Sequence, residues 1–157
     1  MHSIASTYLR SDYVKDQKPD VEVKWVEGLQ FVAQANDSQA AFIMDGSPDH
    51  GGLDSGVRPM EALLLSLAGC SAMDVISVMQ KKRQDVRGFR VLVSGERAEE
   101  HPKRWTKIHL EYVFTGVGLS GEAAARAIEL SQTKYCGVTA TLNAEITSSY
   151  RLVEVAP

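Results

Sequence analysis

Polar and apolar positions alternate, run together, and alternate again along the 157 residues of this chain. Val21, Val23 and Trp25 are separated by polar neighbours, Glu27-Gly28 interrupts, and Leu29 to Ala35 resumes. A period of two marks a strand with one face buried. Asn36 to Ser38 turns the chain into a third strand, Ala40 to Asp45, so residues 21–45 are expected to form an antiparallel meander. Gly46 to Val57 is rich in glycine, proline and aspartate. It reads as a loop of about a dozen residues, a length often kept for function.

The pattern then changes. From Met60 to Met79 apolar residues fall on every side, and the only charges are Glu61 and Asp74. Pro59 suits the first position of a helix and Glu61 its first turn. An all-round apolar helix is expected to be buried on most faces, as the core of the fold. Residues 83–88 read as a connection. Strands follow at Phe89 to Glu96 and at Ile108 to Phe114, where Ile108, Leu110, Tyr112 and Phe114 share one face. Glu99 to Arg104 is the polar hairpin between them. Ser120 is the N-cap expected for a helix over Gly121 to Lys134, with Ala124, Ala127, Ile128, Ser131 and Tyr135 inward. Tyr135 to Gly137 is ambiguous, and a last strand runs near Glu145 to Val155. Segregated antiparallel runs of strands indicate an α+β fold rather than a parallel α/β sheet, built on the long buried central helix. Residues 1–20 are expected to be an arm of uncertain order, and 21–157 a single domain.

Charge narrows the partners. The net charge of −3 offers no basic patch, so neither nucleic acid nor an anionic membrane surface is expected. The apolar helix has the length to span a bilayer, but Asp74, Gly69 and three serines mark the core helix of a soluble protein, so no membrane is expected. Lys81 to Arg83 reads as a solvated helix end. The first twenty residues hold no continuous apolar core, so no signal peptide is read there. Two cysteines without an export signal fit a reducing, cytoplasmic setting.

Those cysteines, Cys70 and Cys136, are the candidate chemistry. A buried cysteine is often an inert small hydrophobe, yet each here adjoins a glycine. Glycine inside a helix costs about 1 kcal/mol relative to alanine, so Gly69 implies close approach of a backbone or ligand, or tight packing of the second helix. Asp74, one turn beyond Cys70, would raise a thiol pKa and is expected to cap or pair with a buried polar group. Glu61 lies nine residues before Cys70, about 13 Å away on the opposite face of a straight helix. His50, His101 and His109 show no metal-ligand spacing with the cysteines. Trp25 and Trp105 read as packing residues.

Pro59-Met60-Glu61, the run Leu65 to Val75 around Cys70, and Lys134-Tyr135-Cys136 downstream resemble the OsmC/Ohr superfamily. Val23 to Phe31 and Ile43 to Gly46 are similar to its YhfA-type branch in particular. The resemblance covers about residues 21–155. It implies an OsmC-like, intertwined homodimer, with antiparallel β-sheets wrapped around two helices and active sites at the dimer interface. It also implies a thiol peroxidase that reduces organic hydroperoxides. Cys70 would be the peroxidatic thiol, Cys136 the resolving thiol, and a small dithiol the reductant, with no metal or cofactor. The family places an arginine in its N-terminal β region and a glutamate ten residues before the first cysteine. Here no arginine occurs between Ser11 and Val57, and the second position is Met60. Two other readings stand beside this one. The apolar cleft beside Cys70 could serve a non-catalytic binding or redox-sensor protein, or the two thiols could be purely structural.

Overall fold

The structure is a computed structural model that describes residues 19–157; most of the expected N-terminal arm lies outside the described residues. The chain divides into two compact units, one ending at Pro59 and the other running Met60–Pro157.

The first unit is the expected meander. Strands β1 (Val21–Glu27), β2 (Gln30–Ala35) and β3 (Ala41–Met44) pair antiparallel in that order. The β1–β2 turn places Gly28 at φ +49°, in the left-handed region that glycine tolerates best. Trp25, expected to be a packing residue, is exposed, and its Nε1 donates to the Gly28 carbonyl at 3.0 Å. The loop after β3 is tied to Asp45, which is only 2% exposed. Asp45 Oδ1 accepts from the Gly46 amide, while Oδ2 accepts from the Leu53 and Ser55 amides and the Ser55 hydroxyl. Four donors on one carboxylate hold its pKa below the usual range, the Ser55 hydroxyl contributing most.

The second unit contains helix α1 (Pro59–Lys81, its first residue in the preceding unit), strands β4 (Asp85–Arg97) and β5 (Trp105–Val117), helix α2 (Gly121–Leu130), a π-helical turn (Ser131–Tyr135), helix α3 (Gly137–Thr141) and strand β6 (Glu145–Glu154). β5 is central, and Ile108, Leu110, Tyr112 and Phe114 are all buried, as the alternation predicts. Phe89 stacks on Phe114 with centroids 4.7 Å apart. Trp105 packs against the core, and its indole donates to the Met60 carbonyl at 3.2 Å, tethering the start of α1.

Several expectations need correction. The second sheet is mixed rather than antiparallel: β4 pairs antiparallel with β5, but β6 runs parallel to it. The reason is the helical crossover between β5 and β6, which returns the chain to the same end before β6 begins. β4 starts at Asp85, four residues earlier than expected. A register shift between Val86 and Gly88 breaks the alternation that would have revealed it. α1 is not buried on most faces. Its buried residues, Leu67, Ser71, Val75 and Met79, form one stripe at four-residue intervals, whereas Leu65 and Met73 are 60% and 69% exposed. Gly69 is not packed either, because a Cβ there would meet no atom within 4 Å among the described residues.

Candidate functional site

The site grows from two helices and one strand of the second unit. On α1, Cys70 is half-buried, Ser71 is buried, and Asp74 follows Cys70 by one turn on the same face. β5 supplies Tyr112. The other cysteine comes from the end of α2, and its placement depends on the π turn.

Ala124, Ala127, Ile128 and Ser131 point inward, at the spacing of an α-helix. Continuing that spacing would bring Tyr135 in, as expected from the sequence. Instead the Cys136 amide bonds to the Ser131 carbonyl five residues back, at 2.8 Å, which is the π-helical bond. The widened turn accommodates one extra residue. Tyr135 is consequently 49% exposed, with Lys134 Nζ 5.5 Å from its ring centroid, and Cys136 turns inward to 3% exposure. Cys136 then caps α3, its sulfur accepting from the Thr139 amide at 3.4 Å.

The result is a cluster in which Cys70 Sγ, Cys136 Sγ and an Asp74 carboxylate oxygen lie within 4.8 Å of one another. Residues 66 positions apart in sequence are thus brought together. Both cysteines are free thiols. The Val138 backbone amide, hydrogen-bonded to Cys70, pulls its pKa down. Burial, the neighbouring Cys136 and the Asp74 charge outweigh that pull, and the Cys70 thiol sits above its ordinary value. Asp74 therefore acts on Cys70 in the direction expected.

Asp74 also pairs with a buried polar group. Ser131 Oγ donates to Asp74 Oδ2 at 3.0 Å, Ser71 Oγ lies 2.8 Å from Ser131 Oγ, and Tyr112 Oη lies 2.6 Å from Ser71 Oγ. Each hydroxyl has one proton to give. Ser131 spends its proton on Asp74, so Ser71 donates to Ser131 and Tyr112 donates to Ser71. The chain is polarised along its whole length toward the carboxylate beside the thiols. Burial raises the Tyr112 pKa, which keeps the phenol a donor. Ser71, Ser131 and Tyr112 as polar partners were missed at the sequence level. Their only signal was a hydroxyl at an otherwise apolar inward position of each element.

The remaining candidates fall elsewhere. Glu61 lies in the first turn of α1. His50 bonds Ser47, and His109 bridges Thr147 and Ser149. Neither stands in the thiol cluster, and nor does His101. Met60, at the position where the family carries glutamate, contributes its carbonyl to Trp105. Arg97 donates to the Lys103 carbonyl and lies over the Trp105 ring. Arg58 pairs with Asp54.

Comparison with known proteins adds the relatives. The family described as OsmC-like protein matches residues 51–151. The chain is 44% identical over 133 residues to Protein YhfA of Escherichia coli K12, covering 83% of this chain and 96% of that protein. Among solved structures, a hypothetical protein from Aquifex aeolicus is 27% identical with a TM-score of 0.76, covering 89% of this chain and 99% of that one. An organic hydroperoxide resistance protein OsmC from Legionella pneumophila shares the fold at 12% identity and a TM-score of 0.60, over 86% and 95% of the two chains.

Proposed function

Because the chain belongs to the OsmC-like family, we propose that it is a cytoplasmic, homodimeric thiol peroxidase in which residues 21–157 work as one domain. The observation that carries this reading is the pairing of a half-buried Cys70 with a buried Cys136, sulfurs within 4.8 Å. The difference in accessibility supports the division of roles between them. The thiol that meets substrate must be reachable, whereas the thiol that resolves the intermediate needs only to face its partner.

In the reaction the Cys70 thiolate attacks the outer oxygen of an organic hydroperoxide. The O–O bond breaks, the alcohol leaves with a proton, and Cys70 becomes a sulfenic acid. The Cys136 thiolate then attacks the Cys70 sulfur and expels hydroxide, which leaves as water, forming the disulfide. A small dithiol reductant restores both thiols and is itself oxidised to a disulfide. The amides of Val138 and Thr139 are the donors placed to stabilise negative charge on the two sulfurs as these steps proceed.

The test is hydroperoxide consumption in the presence of a dithiol. Wild-type protein should consume an alkyl hydroperoxide catalytically, Cys70→Ser should not, and Cys136→Ser should stop after about one turnover, with a sulfenic acid at Cys70 trapped by dimedone. Equal rates for wild type and Cys70→Ser would sink the reading.

A further inference from the structure

We propose that the reduced protein binds one thiophilic divalent cation, of the Zn²⁺ class, through Cys70, Cys136 and Asp74. The proposal stands on the geometry of these three groups and does not depend on the peroxidase reading.

The donor set comes first. Two sulfurs and one carboxylate oxygen converge within 4.8 Å of one another in a half-buried place. A tetrahedral ion bonded to sulfur at about 2.3 Å and oxygen at about 2.0–2.2 Å holds its ligand atoms about 3.5–3.8 Å apart. Side-chain adjustments of about an ångström at most close the difference. Two thiolates select zinc-like or softer ions over magnesium and calcium, which require all-oxygen shells. Three protein ligands leave a fourth position open for water.

The surroundings supply what a metal site needs beyond its ligands. Asp74 does not swing freely, because Ser131 donates to its Oδ2 and is itself held by Ser71 and Tyr112. Such outer hydrogen bonds orient ligating groups and raise metal affinity. A cavity of about 440 Å³, lined by Met73, Asp74, Ser77, Val78, Lys81 and Tyr135, opens beside the carboxylate. As the metal–sulfur bonds form, the two thiols release their protons to the solvent. A metal ion and a Cys70–Cys136 disulfide use the same sulfurs, so each excludes the other.

The experiment uses the full chain, reduced and freed of reductant, with Co²⁺ as the spectroscopic probe and Zn²⁺ as the competitor. Thiolate-to-cobalt charge-transfer bands in the near ultraviolet, with intense tetrahedral bands in the visible, should saturate at one Co²⁺ per chain. Zn²⁺ should displace them, and excess Mg²⁺ should not. Cys70→Ser and Cys136→Ser should each change the charge-transfer intensity. Ser131→Ala should weaken Zn²⁺ binding about 10-fold or more while keeping the cobalt spectrum. Protein oxidised to the disulfide should bind no cobalt. A wild-type cobalt spectrum without thiolate charge transfer would overturn the proposal, and so would undiminished Zn²⁺ affinity in Cys136→Ser. Both readouts are independent of hydroperoxide turnover, so a protein without peroxidase activity can still pass this test, and an active peroxidase can fail it.

Discussion

Cys70 is harder to ionise than an ordinary thiol, because burial, Cys136 and Asp74 together outweigh the pull of the Val138 amide. The thiolate is the reactive form. Below the pKa its population grows about tenfold for each pH unit, so the rate of Cys70 alkylation by iodoacetamide should rise with pH across about 6 to 8. The slope of log rate should be near one. Asp74→Asn removes one of the influences that raise the pKa, and should speed the reaction at neutral pH. Mass spectrometry of the Cys70 peptide over time would check both. A flat profile, or a slower reaction in Asp74→Asn, would contradict this account. At this scale the sequence was informative about types and poor about partners. It marked Cys70, Cys136 and the direction of the Asp74 effect. It could not show that Ser71, Ser131 and Tyr112 form one polarised chain, since each lies on a different element and only packing joins them.

Elements were legible where their periods were clean, and the failures have physical causes. β5 alternates cleanly from Ile108 to Phe114, which marks its centre, while the three residues by which it extends at each end, to Trp105–Val117, are not marked. β4 was cut short at a bulge. α2 was extended through Lys134 because a π turn leaves no mark in a hydrophobicity pattern, yet that turn exchanges Tyr135 for Cys136 on the inner face. The end of α1 offers a direct test of local structure. Arg83 sits at φ +54°, its amide bonds the Gln80 carbonyl, and the Gln84 amide bonds the Met79 carbonyl. This pair of bonds is the Schellman motif, in which the left-handed position favours glycine. A non-glycine residue there carries a penalty of about 1–2 kcal/mol, partly offset by the extra chain entropy that glycine loses on folding. Arg83→Gly should therefore stabilise the protein by roughly 0.5–1 kcal/mol, read as a higher denaturation midpoint. Arg83→Val should lower it.

At the scale of the whole molecule, α1 presents a contradiction that one chain does not resolve. It is long and apolar enough to cross a membrane, and only 22% of its most apolar window is buried within the chain. Its buried stripe nonetheless packs into a core with β5 and α2, and Asp74 stands on the same helix beside the thiols. The apolar residues left over, Leu65 and Met73, are exposed within one chain and would be stabilised by an apolar cover. The homodimer we propose supplies a second copy as that cover. Gly69, with open space above it, would let a second backbone come close. The prediction is that the protein sediments as a species of twice its 17.2 kDa chain mass. Met73→Glu should weaken the dimer without unfolding the chain, because the side chain is exposed within one protomer. An unpaired charge buried at an interface costs about 3 kcal/mol or more, about a hundredfold in dissociation constant. Sedimentation velocity over a dilution series would measure that shift, with circular dichroism confirming the fold. If both proteins sediment as 17.2 kDa monomers at every concentration, the exposed face of α1 is not a self-association surface, and the proposed homodimer fails with it.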